Sequence, residues 1–527
     1  MGQKAITKNS LFYGDNLEMM RKCIGDETIE LCYIDPPFNS KRSYNQIYNN
    51  LGAEDKAQAQ AFIDTWTWDT EAMEGFEAIT HNQHGLYTKQ SIELIIGLSK
   101  VLGKGNLLAY LVSMTQRIAE IWRVLKPTGS FYLHCDSTAS HYLKLILDGL
   151  FCSREGDFRN EIIWKRSAGF KRGTAKKFPQ KNDVILFYTK SHNFEFHTQY
   201  NPHKPEYISR FKPDESGRLA RSDVNPTKGG RRKIYLDNTP GDIIDSVWVD
   251  IPPINPVAHE RLGYPTQKPE ALLERIIKAS SNEGDTILDC YCGCGTTVAV
   301  AQRLNRRWIG IDITYQAISV ILKRLGESFG DDFIKTIDLT GQPKDIEGAR
   351  ALANKKDDRL RKEFEKWAIL TYSNNLAIVN EKKGADKGID GTAFIQATHT
   401  DYKQIIFSVK SGQNINVTMV RDLRGVIERE DAAMGILITL EEPTAPMIQE
   451  ARAAGSYQSE LSHQKFNRLQ IVTIQEILNG ERLNVPLTHD VLKRAKAQSS
   501  NPQLELSDPR VEIALQPIGS NYRTRWV

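Results

Sequence analysis

The sequence predicts an α/β protein: a parallel sheet covered by helices over roughly the first 340 residues, then a second, smaller α/β unit. Three observations carry this expectation. Short apolar runs alternate with helix-period segments at the spacing of strand–helix–strand units. The rhythm breaks over residues 190–256, which are rich in Pro, Gly, Lys, Arg and Asn, and then resumes. A highly charged stretch, residues 341–363 (GQPKDIEGARALANKKDDRLRKE), precedes a second alternation from Phe364 to about Leu478. At 527 residues, a prior of roughly 100–200 residues per domain suggests two to four domains. Such a chain can bury a sizeable core without disulfides.

Residues 10–13 read as a strand leading into Gly14-Asp15-Asn16, residues 17–24 as a helix, and residues 29–34 as a strand ending at Asp35. Residues 106–125 have helical periodicity, with Leu111, Ile118, Ile121 and Leu125 on the apolar face. Lys126-Pro127-Thr128-Gly129 stops that helix, and 130–134 is the next strand. A helix over 141–150 and strands at 162–164 and 184–188 follow. After the interruption come a helix (271–280), a strand (286–289), a helix (296–305) and a strand (308–312). Residues 341–363 read as a linker or an exposed helix. In the second unit, Phe364-Glu365 begins a helix-like stretch and residues 384–391 form a glycine-rich turn ending in an acid. Residues 405–410 and 435–440 are strands, and 423–428 is helical. Residues 481–527 carry no pattern, and the chain has no internal repeat or low-complexity tract.

Bulk properties narrow the setting. The seven cysteines all lie between Cys23 and Cys294, which is no disulfide framework and suits a reducing cytoplasm. The opening MGQKAITKNSLFYGD lacks the apolar core of a secretory signal. No apolar run approaches the ~20 residues that span a bilayer, so no membrane partner is expected. The net charge of +4 neither requires nor forbids nucleic acid, because local clustering decides that.

Two segments carry the chemistry. In TILDCYCGCGTT (286–297), Asp289 ends a buried strand, while Gly293 and Gly295 open a helix and let the backbone approach a ligand. Asp312 ends the next strand, where an acid can take the ribose hydroxyls of a nucleoside. A dinucleotide site is the rival reading, but Val298 fills the third glycine position. Cys290, Cys292 and Cys294 lack paired C-x₂₋₄-C hooks for zinc and read as small packing residues. The other segment is Ile34-Asp35-Pro36-Pro37-Phe38. Ligands of open α/β sheets bind beyond the carboxyl ends of strands, and the two prolines cannot continue the ladder. A carboxylate and a rigid carbonyl at that point can accept both hydrogens of an exocyclic amine, and Phe38 offers a flat face for a base.

With these segments the chain resembles the DNA amino-methyltransferases of the permuted β class, in which the catalytic motif precedes the loop for S-adenosylmethionine (SAM). Tyr13-Gly14-Asp15-Asn16, Asp35-Pro36-Pro37-Phe38, Lys126-Pro127-Thr128-Gly129, Asn160-Glu161-Ile162-Ile163-Trp164, Tyr264 to Pro269, and Asp289, Gly293, Gly295 and Thr296 match its motifs over about residues 10–325. Cys290-Tyr291 departs from the usual Pro-Phe. The resemblance implies a doubly wound sheet, with Asp15 at the SAM adenine and Lys268 bordering the donor. Asp289, Gly293, Gly295, Thr296 and Asp312 would complete that site. It implies an adenine-N6 target in double-stranded DNA, since Asp at position 35 is more usual for adenine than for cytosine-N4 enzymes. Residues 190–256 stand where this class reads its target. There Arg210, Lys212, Arg218, Arg221, Lys228, Arg231, Arg232 and Lys233 interleave with Tyr207, Phe211 and Tyr235, and such cations can contact phosphates or guanine edges. Residues 360–455 resemble the Mrr-like branch of the PD-(D/E)XK nucleases. That resemblance implies a Mg²⁺ site at Glu365, Asp390, Ser408 and Lys410, with Asp390 as metal ligand. Ser408 departs from the usual acid or Gln and puts cutting in doubt. The expected protein is a DNA methyltransferase of a restriction-modification or phage-defence system. A cytosine-N4 enzyme and a single-chain enzyme that also cleaves DNA are the alternatives, and a homodimer is compatible with either.

Overall fold

The computed structural model describes residues 6–37, 42–47, 58–64, 66–166, 178, 180–224, 230–255, 258, 260–262, 264, 266–354, 358–374, 376–380, 388–397, 402–460 and 463–486, with the backbone alone at 42–47, 58–64 and 358–360. Phe38, Lys228, Pro265, residues 384–387 and residues 487–527 lie outside the described residues.

The first unit is built on β1 (Ser10–Tyr13), β2 (Ile29–Ile34), β3 (Leu125–Cys135), β4 (Asp157–Lys165) and β5 (Asn182–Thr189). The segment that interrupts the rhythm folds into β6 (Lys212–Pro213), β7 (Leu219–Val224) and β8 (Arg231–Tyr235), a small antiparallel sheet of its own. The chain then returns through β9 (Val247–Trp248), β10 (Thr286–Asp289), β11 (Arg307–Asp312) and β12 (Asp338–Thr340). These make a nine-stranded sheet in the order β9-β4-β5-β3-β2-β10-β11-β1-β12. Strand order reverses around β10, the place where open α/β sheets bind ligands.

Helices cover both faces. The strands alternate sides as the pleat requires: Leu31 and Tyr33 face one core, Cys32 and Ile34 the other. On the second face lie α1 (Asn16–Cys23), α2 (Asn106–Val124) and α3 (Ser140–Leu147). On the first lie α4 (Glu270–Ala279), α5 (Thr296–Arg303) and α6 (Tyr315–Phe329).

Two expectations are corrected in part. The sheet is mixed, because β5 runs antiparallel to both β3 and β4. Apolar runs alone do not report strand direction. Of the two readings of residues 341–363, linker or exposed helix, the structure has helix: α7 (Ile346–Ala353) and the start of α8 (Asp358–Tyr372), but Ala349, Ala353 and Glu363 are buried rather than exposed. Lys126-Pro127-Thr128-Gly129 does stop α2, which passes straight into β3, and these four residues bulge opposite Glu30, whose carboxylate pairs with Lys126.

The second unit has a five-stranded sheet in the order β13-β14-β15-β16-β17, made of β13 (Ile378–Val379), β14 (Gly391–Gln396), β15 (Tyr402–Lys410), β16 (Met434–Thr439) and β17 (Leu469–Thr473). Phe364 and Trp367 of α8 are buried in one continuous cluster with Tyr13, Tyr315 and Ile318 of the first unit and Ile405 and Phe407 of the second. Burial of each such side chain contributes roughly 1.5–3 kcal/mol, so the two units share a core.

Candidate active site

The carboxyl ends of β2, β10, β11 and β1 converge on one cleft. Asp35 follows β2, with Pro36 buried and Pro37 half-buried behind it. Its Oδ2 is paired with the Lys268 ammonium, which also donates to the Thr266 carbonyl at 3.2 Å. Asp35 Oδ1 is buried and has no hydrogen-bond partner among the described residues. An orphaned buried acceptor costs free energy, and a ligand N–H would satisfy it.

At the end of β10, Asp289 accepts from Thr297 Oγ1 at 2.6 Å and from the Tyr291 N–H at 3.0 Å. Burial nevertheless pushes its pKa up to about 7, with the charges of Asp35 and Asp312 adding to the shift. Gly293 and Gly295 have φ of +49° and +72°, the left-handed region that favours glycine. A Cβ on Gly295 would also stand 2.7 Å from Ile321. The Gly293 N–H donates to Asp312 Oδ2 at 3.0 Å, and Thr314 donates its N–H and hydroxyl to Oδ1 at 2.9 and 2.8 Å. Burial raises Asp312 to about 6. Tyr264 lies against Gly293, 3.4 Å from where a Cβ would be. The three cysteines of the loop are buried and unbridged.

Two candidate donor residues are engaged by the protein itself. Asp15 Oδ1 caps α1 through the Glu18 N–H at 3.1 Å, and its Oδ2 pairs with Arg117 at 2.7 Å. The Thr296 hydroxyl accepts from Arg324 at 3.3 Å. Lys268, expected to border the donor, pairs with Asp35, so it joins the segment just before α4 to the carboxyl end of β2.

Sequence reasoning missed a buried polar chain behind Asp35. Tyr33 Oη lies 2.9 Å from His134 Nδ1, and His134 Nε2 lies 3.3 Å from Asp183 Oδ2. A carboxylate only accepts, so Nε2 carries a proton, and in the neutral ring Tyr33 donates to Nδ1. Burial opposes ionisation of Asp183, but His134 and Arg166 outweigh it and hold its pKa below the usual value. The signal available in the sequence was a polar residue at the mouth end of two apolar runs, His134 after FYL and Asp183 before VILFY.

The expected target-reading cations divide into two sets. Arg218 is paired with Asp237 at 2.8 Å, Arg221 with Asp223 at 2.9 Å, and Lys233 with Asp214 at 2.5 Å. Arg210, Lys212 and Arg221 line a concave pocket on β6 and β7. Arg231 and Arg232 are exposed on β8, with no ion pair among the described residues.

In the second unit, Asp390 Oδ2 accepts from the Val409 N–H at 2.8 Å and from Ser408 Oγ at 3.3 Å. The Lys362 ammonium stands 2.6 Å from Glu365 Oε2 and 4.0 Å from Asp390 Oδ1. Burial raises the Glu365 pKa, with Asp390 adding to it, against the pull of Lys362 and Lys410. These residues do not fit a divalent cation. A lysine occupies the space between the acids, the remaining ligand position is a neutral hydroxyl, and the described residues hold no cluster of three or more metal-ligating side chains. The expectation of Mg²⁺ at Asp390 is therefore dropped.

Among the described residues no helix is long and apolar enough to cross a membrane. The family profile described as DNA methylase (N6_N4) matches residues 29–323, more than half of the chain. A second, NACHT-associated inactive Restriction Endonuclease 1, matches residues 360–479. The chain is 24% identical over 379 residues to the type II methyltransferase M.EcaI of Enterobacter cloacae, covering 63% of this chain and 73% of that one. It is 25% identical over 316 residues to the DNA adenine methyltransferase YhdJ of Escherichia coli K12, covering 60% and 82%. Shared stretches span 54% to 82% of the lengths of such relatives. A putative DNA modification methylase of Thermus thermophilus, solved with S-adenosyl-L-methionine, aligns with a TM-score of 0.34 at 16% identity, covering 64% of this chain and 99% of that one.

Proposed function

Because the chain belongs to the N6/N4 DNA methylase family, we propose that it methylates the exocyclic amine of a flipped base in double-stranded DNA, with SAM as donor and adenine N6 as target. The observation that carries this reading is Asp35 Oδ1, a buried acceptor without a partner among the described residues at the carboxyl end of β2. SAM, when bound, supplies an electrophilic methyl group on a sulfonium.

The residues present fit such a cation. Asp35, Asp289 and Asp312 approach closely enough to raise the Asp289 pKa by their charges. Gly293 and Gly295 leave the loop backbone bare of side chains. Asp312 would take ribose hydroxyls. Asp35 Oδ1 would accept one amine hydrogen and the Pro36 carbonyl the other, shifting electron density onto the nitrogen. Lys268 fixes Asp35 so that the acceptor does not have to reorganise, and preorganised polar groups are the main electrostatic lever of enzymes. Flipping the base out of the duplex costs a few kcal/mol of unstacking. The exposed Arg231 and Arg232, with the Arg210 and Lys212 pocket, would hold the backbone around it.

Asp at position 35 favours adenine, and the relative named a DNA adenine methyltransferase agrees with that choice. The names of type II relatives favour a restriction-modification setting. Radiolabelled SAM, unmethylated DNA and single-molecule sequencing test the proposal together. N6-methyladenine within one short motif is the expected product. N4-methylcytosine would move the target, and absence of label in any DNA would overturn the reading.

A further inference from the structure

We infer that Glu363, on the first helix of the nuclease-like unit, is a positioning residue of the methyltransferase donor site. The inference rests on the reading of the β10–β11–β1 cleft as a SAM site. Glu363 lies beyond the last residue of the DNA methylase match and inside the match to the inactive endonuclease family.

Glu363 is 6% exposed. Its Oε2 accepts from Tyr13 Oη at 3.2 Å and from the Tyr315 N–H at 3.1 Å, and its Oε1 pairs with Lys366 at 2.8 Å. Tyr13 is the last residue of β1, immediately before Gly14-Asp15. Tyr315 is the first residue of α6, immediately after Asp312-Ile313-Thr314. One carboxylate thus holds the two loops that bear Asp15 and Asp312, and it does so at the positive end of a 15-residue helix.

Four contacts make this clamp specific. The Tyr13 and Tyr315 rings meet edge to face, 5.8 Å apart at 85°. Tyr315 Oη lies 2.9 Å from Thr371 Oγ1, a second bond from α8 to the same residue. The Gly14 N–H donates to the Asp312 carbonyl at 2.9 Å, tying the two loops to each other. Gly341 passes so close that a Cβ there would lie 1.9 Å from the Tyr13 carbonyl oxygen. The charge of Glu363 also reaches the donor site, where it adds to the upward shift of Asp312.

A residue that served only to glue the two units together would change melting temperature and leave donor affinity alone. A positioning residue would change donor affinity first. Full-length Glu363→Ala should weaken SAM binding by calorimetry about tenfold, the size of one lost charge-assisted hydrogen bond, and raise the donor KM similarly with kcat within about twofold. Glu363→Gln keeps the acceptor oxygen and should stay within about threefold of wild type. Tyr13→Phe removes the same bond from the other side, so its effect should not add to that of Glu363→Ala. SAM affinity in Glu363→Ala equal to wild type overturns the inference. If Glu363→Ala does not fold, Tyr13→Phe decides: unchanged affinity there overturns it as well. Failure of wild type to bind SAM would instead overturn the donor-site reading.

Discussion

Asp35 and Asp390 are carboxylates at strand ends, one in each α/β unit, and each has a lysine beside it. At Asp35, Lys268 takes Oδ2 while Oδ1 has no partner among the described residues. At Asp390, the Val409 N–H and Ser408 take Oδ2, and Lys362 stands between Oδ1 and Glu365. Under the proposed function, the lysine in the first cleft orients an acceptor, whereas the lysine in the second stands between two acids that a divalent ion would otherwise bridge. The comparison teaches that a carboxylate in a motif has chemistry available only to the extent that its hydrogen-bonding capacity is left unused.

The strongest way to break this comparison is Asp35→Ala. Methyl transfer should fall by roughly a hundredfold to a thousandfold, the size of a lost preorganised polar contact, with SAM affinity by calorimetry nearly unchanged. Near-wild-type turnover would remove Asp35 from the chemistry. Lys268→Met asks whether the lysine orients Asp35 or merely neighbours it. About a tenfold loss of kcat, with DNA affinity retained in a filter-binding assay, is expected, and an unchanged kcat would deny the orienting role.

The pH dependence sharpens the contrast between Asp289 and Asp312, whose pKa values burial raises, and the acids of the second cleft, where Lys362 stands beside Glu365. Asp289 and Asp312 titrate near 7 and 6 in the fold and near 3.9 when unfolded. Between about pH 4 and 7 the folded state binds more protons, so their contribution to stability falls as pH rises through that window. A cationic donor reverses the preference. SAM affinity should therefore rise about tenfold between pH 5.5 and 8, and Asp289→Asn should flatten that profile. A flat wild-type profile would remove the two acids from the donor site.

The smallest effects belong to the second cleft. Asp390→Ala should cost about 1–3 kcal/mol of stability through the orphaned Val409 N–H and leave methyl transfer alone. Wild type should not bind Mn²⁺ or nick supercoiled plasmid, whereas Lys362→Met combined with Ser408→Glu should bind Mn²⁺ measurably by paramagnetic resonance. Metal-dependent nicking by wild type would erase the distinction between the clefts.

Much of the fold was legible because burial writes periodicity into sequence. The strands at Ser10–Tyr13, Ile29–Ile34 and Thr286–Asp289 lie where their apolar runs place them. The placement of Asp35 just after β2, Gly295 at the start of α5 and Asp312 at the end of β11 was legible because turns at those points favour particular residues. The Tyr33–His134–Asp183 chain was not, since its members come from three strands whose adjacency no local pattern reports. The charged stretch before Phe364 misled for a related reason. Charge at that density reads as solvated surface, yet Glu363 is buried because Lys366, Tyr13 and the end of α6 satisfy it.

By itself, the sequence determined the α/β class, the order of the Asp-Pro-Pro and glycine-loop segments and the glycines that the loop backbone needs. All of these depend on local patterning or on conformational limits of single residues. Only the tertiary structure decided which oxygen of Asp35 is left without a partner among the described residues, that Lys268 pairs with it, that Lys362 lies between Glu365 and Asp390 and that α8 bonds to both Tyr13 and Tyr315. Those outcomes depend on which side chains, distant in the chain, exhaust one another's hydrogen bonds and charges in space, and sequence spacing does not encode that.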